Sequence, residues 1–342
     1  MFYIFPFLVS FFLAIFFTPL IKRLALKFRI VDSPGLRKIH QKPIPLLGGL
    51  AIFLAFFISV LFFWFNGSII DSRVNSFYII GILLGSLILM IGGFLDDKYN
   101  LKPWQQISFP VSAIIITLIA GIRIHFVSNP FGGILEFGVI IGFILAFFWL
   151  LIMTYTTKLL DGLDGLASGV TTIAAFLIFI VSLFWDVPFS STSVLALIVA
   201  GATLGFLIFN WHPAKIFLGE GGSVFCGYIL GVLAIISGSK IATALLVMGI
   251  PVLDVVWVVI RRLFFDRSIT KGDQKHLHFR LLEIGLSHRQ AVIFLYLLTL
   301  AFGFSSLFLA SFGKIIALLI LLIFMVILFT SLYTIYRLKN SD

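Results

Sequence analysis

The sequence predicts an all-α polytopic membrane protein of about 11 transmembrane helices, N-terminus outside and C-terminus cytoplasmic. Three observations carry this. First, the 342-residue chain is 61% hydrophobic and only 11% charged, with a mean hydropathy of +1.18; a soluble domain of that length does not have this balance. Second, apolar runs of about 17 to 25 residues, the span of a bilayer, recur along its whole length. Third, Lys and Arg concentrate in alternate loops, as the positive-inside bias requires.

The runs, in order, are residues 2–22, 47–65, 77–95, 104–121, 138–156, 163–184, 193–209, 222–237, 240–261, 289–310 and 313–336. Segment 121–137 (GIRIHFVSNPFGGILEF) mixes turn residues with short β-prone pieces and predicts a small hairpin outside the membrane. With the loop after the first run placed in the cytoplasm, only Arg73, Arg123, Lys240 and Lys314 of the 24 Lys and Arg lie on the other side. The first run carries its positive charge after it, at Lys22 and Arg23, which suits a signal-anchor-like helix rather than a cleaved leader. A single integral-membrane domain over 1–342 in the plasma membrane is expected, with no soluble domain. The net charge of +10 suits anionic head groups and phosphates, and no nucleic-acid motif is seen. The single cysteine, Cys226, excludes an internal disulfide and reads as packing.

The carboxylates are the informative residues. Most fall on the predicted cytoplasmic face, several at the ends of apolar helices, where charge is costly unless partnered or wet. Acids contribute little to topology, so insertion does not explain the skew. Asp96 and Asp97 close the third run; they are either solvated boundary markers or part of a site. Asp161 and Asp164, in KLLDGLDGLASG, are three apart and share a helical face. They suit a metal ion or a nucleotide, or they stabilise the next helix through its dipole. Glu220 lies in a Gly-rich turn closed by Ser223, which reads as a phosphate cradle beside a Mg²⁺ ligand, or as an N-capped turn. His276 and His278 lie among Lys275 and Arg280; their i, i+2 spacing and the lack of an HExxH pattern speak against zinc and for contacts to a diphosphate, or simply for a basic loop. Lys38 and His40 sit in a Pro- and Gly-punctuated loop that either holds an anionic head group or only sets topology.

Together these stretches resemble the polyprenyl-phosphate N-acetylhexosamine-1-phosphate transferases, over about residues 30 to 295 and in the same motif order. The motifs are Asp32, Pro34, Arg37, Lys38, His40, Pro43, Pro45, Gly48 and Gly49; then Asp96–Asp97 with Leu101 and Pro103; then Asp161 to Leu166; then Asn210 to Ser223; then His276 and His278. Each is weak alone, but five in order on one predicted face are a strong match. The resemblance implies transfer of a HexNAc-1-phosphate from a UDP-N-acetylhexosamine to a polyprenyl phosphate lipid, at an active site on the cytoplasmic face. It implies Mg²⁺, with Mn²⁺ as the alternative, and is compatible with a homodimer. By resemblance, Asp96 or Asp97 is the base and Asp161 with Glu220 holds the metal. Asp164 and Asn210 support the nucleotide, and Lys38, His40, Lys158, His276 and His278 contact phosphates or sugar.

The loop HLHFRLLEIGLSHRQAV looks closer to the wall- and surface-polymer GlcNAc-1-phosphate branch than to the phospho-MurNAc-pentapeptide branch. Five positions depart from the family pattern. Glu220 stands for the usual Asp, Tyr155 and Lys158 for two Asn, Gln106 for a Lys, and Phe279 for a third His. Lys158 is therefore expected to supply the cation that Gln106 does not. Two other classes compete. A transporter should show mid-span acids and a two-fold repeat; only Asp254 qualifies, and no repeat is seen. An inactive lipid-binding homologue is the other, against which the retained acids speak.

Overall fold

The computed structural model describes residues 3–34, 42–185, 190–238, 240–265 and 276–339. In chain order these form α1 (Ile4–Lys27), the strand pair β1 (Val31–Asp32) and β2 (Ile44–Pro45), α2 (Gly48–Phe65), α3 (Ser76–Tyr99) and α4 (Pro103–Ile119). The hairpin β3 (Phe126–Ser128) and β4 (Ile134–Glu136) follows, then α5 (Val139–Leu160), α6 (Leu166–Trp185), α7 (Ser191–Asn210), α8 (Gly219–Ile236) and α9 (Ile241–Val247). The last elements are α10 (Gly249–Phe265), α11 (Leu277–Glu283), α12 (His288–Phe308) and α13 (Ser311–Lys339).

Every apolar run read from the sequence falls on a helix. Among the described residues nine helices are long and apolar enough to cross a membrane, and the α9–α10 pair, bent by 77°, makes a tenth if counted as one broken span. The bend has a local cause. Pro251, in the first turn of α10, lacks an N–H, and its ring excludes the carbonyl of Val247, so the ladder cannot run straight through Met248. The run at 104–121 is the 17-residue α4, about 25 Å long against a hydrocarbon core of about 30 Å. The protein is therefore an all-α, multi-pass membrane protein. The expected hairpin is also present, pairing Phe126 with Glu136 and Ser128 with Ile134. The short β1–β2 pair was not foreseen.

Local signals fix several helix ends. The Asn75 side chain accepts the Tyr78 N–H at 3.0 Å and opens α3. Asn100 closes it with a left-handed φ of 51°. Ser287 and Gln290 form a capping box at the start of α12. Pro103 opens α4, where its missing N–H costs nothing.

α7 and α8 form the centre, with 78% and 89% of their apolar windows buried, while α1 and α13, at 28% each, are peripheral. Phe12 and Phe16 on α1 and Leu319 and Ile323 on α13 point outward, where a lipid environment accepts them. Lipid tails supply no hydrophobic drive between helices, so close packing and polar contacts must do it. On α7, Gly201 and Gly205 are four apart and let α1 in. A Cβ on Gly201 would stand 2.3 Å from the Phe7 carbonyl oxygen, and one on Gly205 2.5 Å from that of Phe11. α5 is tied to α8 by Trp149 Nε1 donating to the Gly231 carbonyl at 3.0 Å and by Thr157 Oγ1 donating to that of Ser223 at 2.8 Å.

Candidate active site

One end of the bundle, where α1, α3, α5 and α7 finish and α2, α8 and α12 begin, encloses a cleft of about 1110 Å³. Asp96, Asp97, Asp161, Asp164 and Glu220 all line it, together with Lys22, Lys42, Lys158 and Lys215. Residues far apart in sequence meet here because the chain returns to the same end after each pair of spans.

Asp96 and Asp97 occupy the last turn of α3 and differ in their duties. Asp96 Oδ1 accepts the Leu101 N–H at 2.9 Å and the Gln106 side-chain amide at 2.8 Å, so it locks α3 to the start of α4. Asp97 Oδ1 accepts the backbone N–H of Glu220 at 3.0 Å. That bond needs α3 and α8 to touch. A Cβ on Gly93 would lie 2.1 Å from Gly221 Cα, and one on Gly49 of α2 would lie 2.1 Å from Gly222 Cα. Gly221 and Gly222, read from the sequence as part of a phosphate cradle, instead let two helices reach the α8 backbone.

Asp161 caps the C-terminus of α5. Burial, and then the charges of Glu220, Asp97 and Asp164, push its carboxyl up to about 8. Such a knot of mutually repelling carboxylates favours a cation among them. Asp164, in the following loop, accepts the Ala214 N–H at 3.0 Å and faces His212 Nδ1 at 2.7 Å through Oδ2. Asn210, the last residue of α7, is buried and fully engaged. Its Oδ1 accepts from Gly165 N at 3.1 Å and Ser168 Oγ at 2.8 Å, and its Nδ2 donates to the Ile216 carbonyl at 3.0 Å. It joins the 161–165 loop to the 211–217 loop. Lys158 Nζ lies 2.5 Å from Glu220 Oε1 and 3.3 Å from Gln106 Oε1. Three of the departures from the family pattern are thus in contact through Lys158.

His276 and His278 are buried behind the cleft and do not line it. His276 Nδ1 is 2.9 Å from Asp254 Oδ2, while Asp254 Oδ1 accepts the Leu277 N–H at 2.9 Å. The mid-span acid noted in the sequence is therefore a clip that holds α11 on α10. His278 packs on Gly162, where a Cβ would lie 2.1 Å from His278 Nε2. Burial, and then His276 and His288, push its basicity down to about 3, so it stays neutral. Phe279 lines the cleft in their stead. Lys38 and His40 lie outside the described residues.

Sequence reasoning missed His212 and His288. Their rings stack at 4.0 Å and 15°. With Asp164 they bring one ligand atom each within 4.8 Å of the others. Both ring nitrogens of His288 are buried and make no hydrogen bond. The Arg289 guanidinium donates to the His212 carbonyl at 3.1 and 2.9 Å and fixes the pair. Both histidines stand inside quoted stretches, NWHPAK and SHRQAV, but nothing in their spacing links them across 76 positions of chain.

The sequence matches Glycosyl transferase family 4 over residues 79–238, a stretch that contains five of the six cleft acids, all but Asp32. It is 34% identical over 330 residues to the probable undecaprenyl-phosphate N-acetylglucosaminyl 1-phosphate transferase of Bacillus subtilis strain 168, covering 94% of this chain and 88% of that one. The chain belongs to glycosyl transferase family 4. Another relative is the decaprenyl-phosphate N-acetylglucosaminephosphotransferase of Mycolicibacterium smegmatis, 31% identical over 85% of this chain and 78% of that one. The phospho-N-acetylmuramoyl-pentapeptide-transferase of Borrelia hermsii is 29% identical over 87% of this chain and 92% of its own. The family 4 resemblance read from the motifs is thus borne out, and the identities lean towards the GlcNAc branch as the polar loop did.

Proposed function

We propose that this protein transfers GlcNAc-1-phosphate from UDP-GlcNAc to a polyprenyl phosphate in the plasma membrane, giving polyprenyl-diphosphate-GlcNAc and UMP. The observation that carries the reading is the cleft itself, where Asp32, the five acids named above and four lysines converge at one end of a membrane-spanning bundle. The proposal places that end in the cytoplasm, by the Lys and Arg bias. Phosphoryl transfer asks the protein for positioning and charge neutralisation rather than covalent chemistry. A phosphate oxygen of the lipid attacks the β-phosphorus of UDP-GlcNAc, the bridging P–O bond to the α-phosphate breaks, and UMP leaves.

Asp97 is the better base of the pair. Its neighbour Asp96 is occupied by α4 through Leu101 and Gln106, whereas Asp97 takes one backbone N–H and faces the cleft. Asp97 would orient the lipid phosphate and take its proton; Asp96 would position the α3 terminus. The Asp161 and Glu220 carboxylates supply the hard oxygens that Mg²⁺ prefers, and the raised Asp161 carboxyl fits a site that gains from a cation. When bound there, Mg²⁺ would neutralise charge building on the transferred phosphoryl group. The Asp164–His212–His288 trio is nitrogen-rich and does not suit that ion. Lys158 and Lys215 would meet the diphosphate. Lys22 and Lys42 line the side of the cleft next to α1 and would meet the lipid phosphate.

The test is Mg²⁺-dependent UMP release from UDP-GlcNAc by the purified protein with polyprenyl phosphate, beside an Asp97→Asn control and a UDP-MurNAc-pentapeptide arm. Release from UDP-GlcNAc that falls by about 10² or more in the control is expected. Release only in the pentapeptide arm would move the protein to the other branch, and silence in both would refute the reading.

A further inference from the structure

Lys158 projects from the last turn of α5, and it is anchored on several sides. Its ammonium is 2.5 Å from Glu220 Oε1 and 3.3 Å from Gln106 Oε1. The Gln106 amide passes the contact on to Asp96 Oδ1 at 2.8 Å. The Lys158 ammonium also stands over the Tyr155 ring, 5.6 Å from the centroid. The turn that carries it is bonded to α8 through Thr157 and the Ser223 carbonyl. The ammonium therefore links the acid at the head of α8 to the acid at the foot of α3. Its place follows from how α5 docks on α8, not from a free surface rotamer.

The pair is not a surface salt bridge. The two side chains keep only 21% and 19% of their exposure, so water and salt screen them weakly. Glu220 is also one of the two carboxylates that the proposed reaction needs for a divalent cation. A carboxylate oxygen that accepts an ammonium at 2.5 Å has its charge balanced and a lone pair occupied. A divalent ion that takes the same oxygen meets that ammonium at contact distance, and the repulsion between the two positive charges sets them in competition.

We propose that Lys158 is a built-in cation of the cleft: its ammonium and a divalent ion exclude one another on Glu220, so Lys158 sets how tightly the site holds the ion. The proposal rests on the reading of the cleft as a phosphotransferase site. Lys158 acts on the cation through Glu220 and is a specificity-determining residue. Once displaced, its ammonium remains in the cleft as one of the positive charges available to a diphosphate.

Mn²⁺ is the probe, titrated into the full-length protein in nanodiscs of uncharged lipid, with free Mn²⁺ followed by electron paramagnetic resonance. Lys158→Met should tighten Mn²⁺ binding at least about tenfold, because an opposing charge in contact with the ligand is removed. Lys158→Arg, which keeps the charge, should stay within about threefold of the wild type. Lys22→Met removes the same charge from the same cleft without touching Glu220 and should also change binding less than about threefold. Adding Glu220→Gln to Lys158→Met should cancel the gain. The proposal is overturned if Lys158→Met binds Mn²⁺ as the wild type does or more weakly, or if Lys22→Met gives an equal gain. Should Lys158→Met fail to fold by thermal unfolding, Lys158→Gln replaces it under the same criteria. UMP release by the wild type is scored separately: its absence refutes the transferase reading, whereas the Mn²⁺ comparison alone decides the role of Lys158.

Discussion

Asp161 is raised first by burial, and Glu220, Asp97 and Asp164 add their repulsion to its negative charge. Its carboxyl is raised from 3.8 to about 8, so the folded protein holds a proton there that the unfolded chain gives up. An acid shifted upwards contributes stability that is fully present below the unfolded value and is lost as pH rises towards the folded one. Asp161→Asn has no such loss. Its melting temperature should exceed the wild type's by a margin that widens from pH 4 to pH 8 and then levels, in cation-free buffer; a margin constant with pH would contradict the assignment. The cleft acids were legible in the sequence because a carboxylate at the end of an apolar helix is costly and therefore conspicuous. The histidines were not. His276 and His278 read as contacts to a diphosphate or sugar in a polar loop, yet Asp254 and Gly162 draw them behind the cleft. His212 and His288 come together only through the stacking of two loops.

α8 is the element against which the site is assembled. α2 and α3 reach its backbone through glycines, α5 through Thr157, and its first turn offers Asp97 an N–H. Gly93→Ala should therefore do more than crowd an interface. Overpacking costs about 1–3 kcal/mol, and it would also push Asp97 away from the Glu220 amide. A displacement of about 1 Å is enough for a loss of about 10² in rate, so UMP release should fall far more than the melting temperature. A variant with wild-type turnover would show that the α3–α8 contact does not set the site. α11 depends on a different device. Asp254→Ala leaves His276 Nδ1 and the Leu277 N–H without their acceptor, at about 1–3 kcal/mol for each buried group. Thermal unfolding should show that loss, and Asp254→Asn should recover part of it. The helices were readable from apolar run length alone. Gly249 and Pro251 also mark a break in the sequence, but its size, 77° at Met248, was not legible, because it depends on the carbonyl four residues before the proline.

The bundle as a whole has two unlike ends. The cleft opens at one; the β3–β4 hairpin, with Phe131 fully displayed, stands between the other ends of α4 and α5. The proposed placement of the cleft end in the cytoplasm rests on the bias of Lys and Arg, and the chain offers a direct check. Cys226 is wholly buried, so single cysteines can be introduced on a silent background. Phe131→Cys should react with a membrane-impermeant maleimide on intact cells, and Lys98→Cys only after permeabilisation. The opposite pattern would invert the topology and the compartment of the proposed reaction.

Position 220 holds two separable instructions. Its backbone N–H fixes Asp97 whatever side chain it carries, whereas its carboxylate faces Lys158 and the cleft. Exchanging glutamate for another residue there can retune the electrostatics of the chamber without disturbing the placement of Asp97. A lineage could thus alter its dependence on metal ions in small steps, each leaving the reacting groups in register.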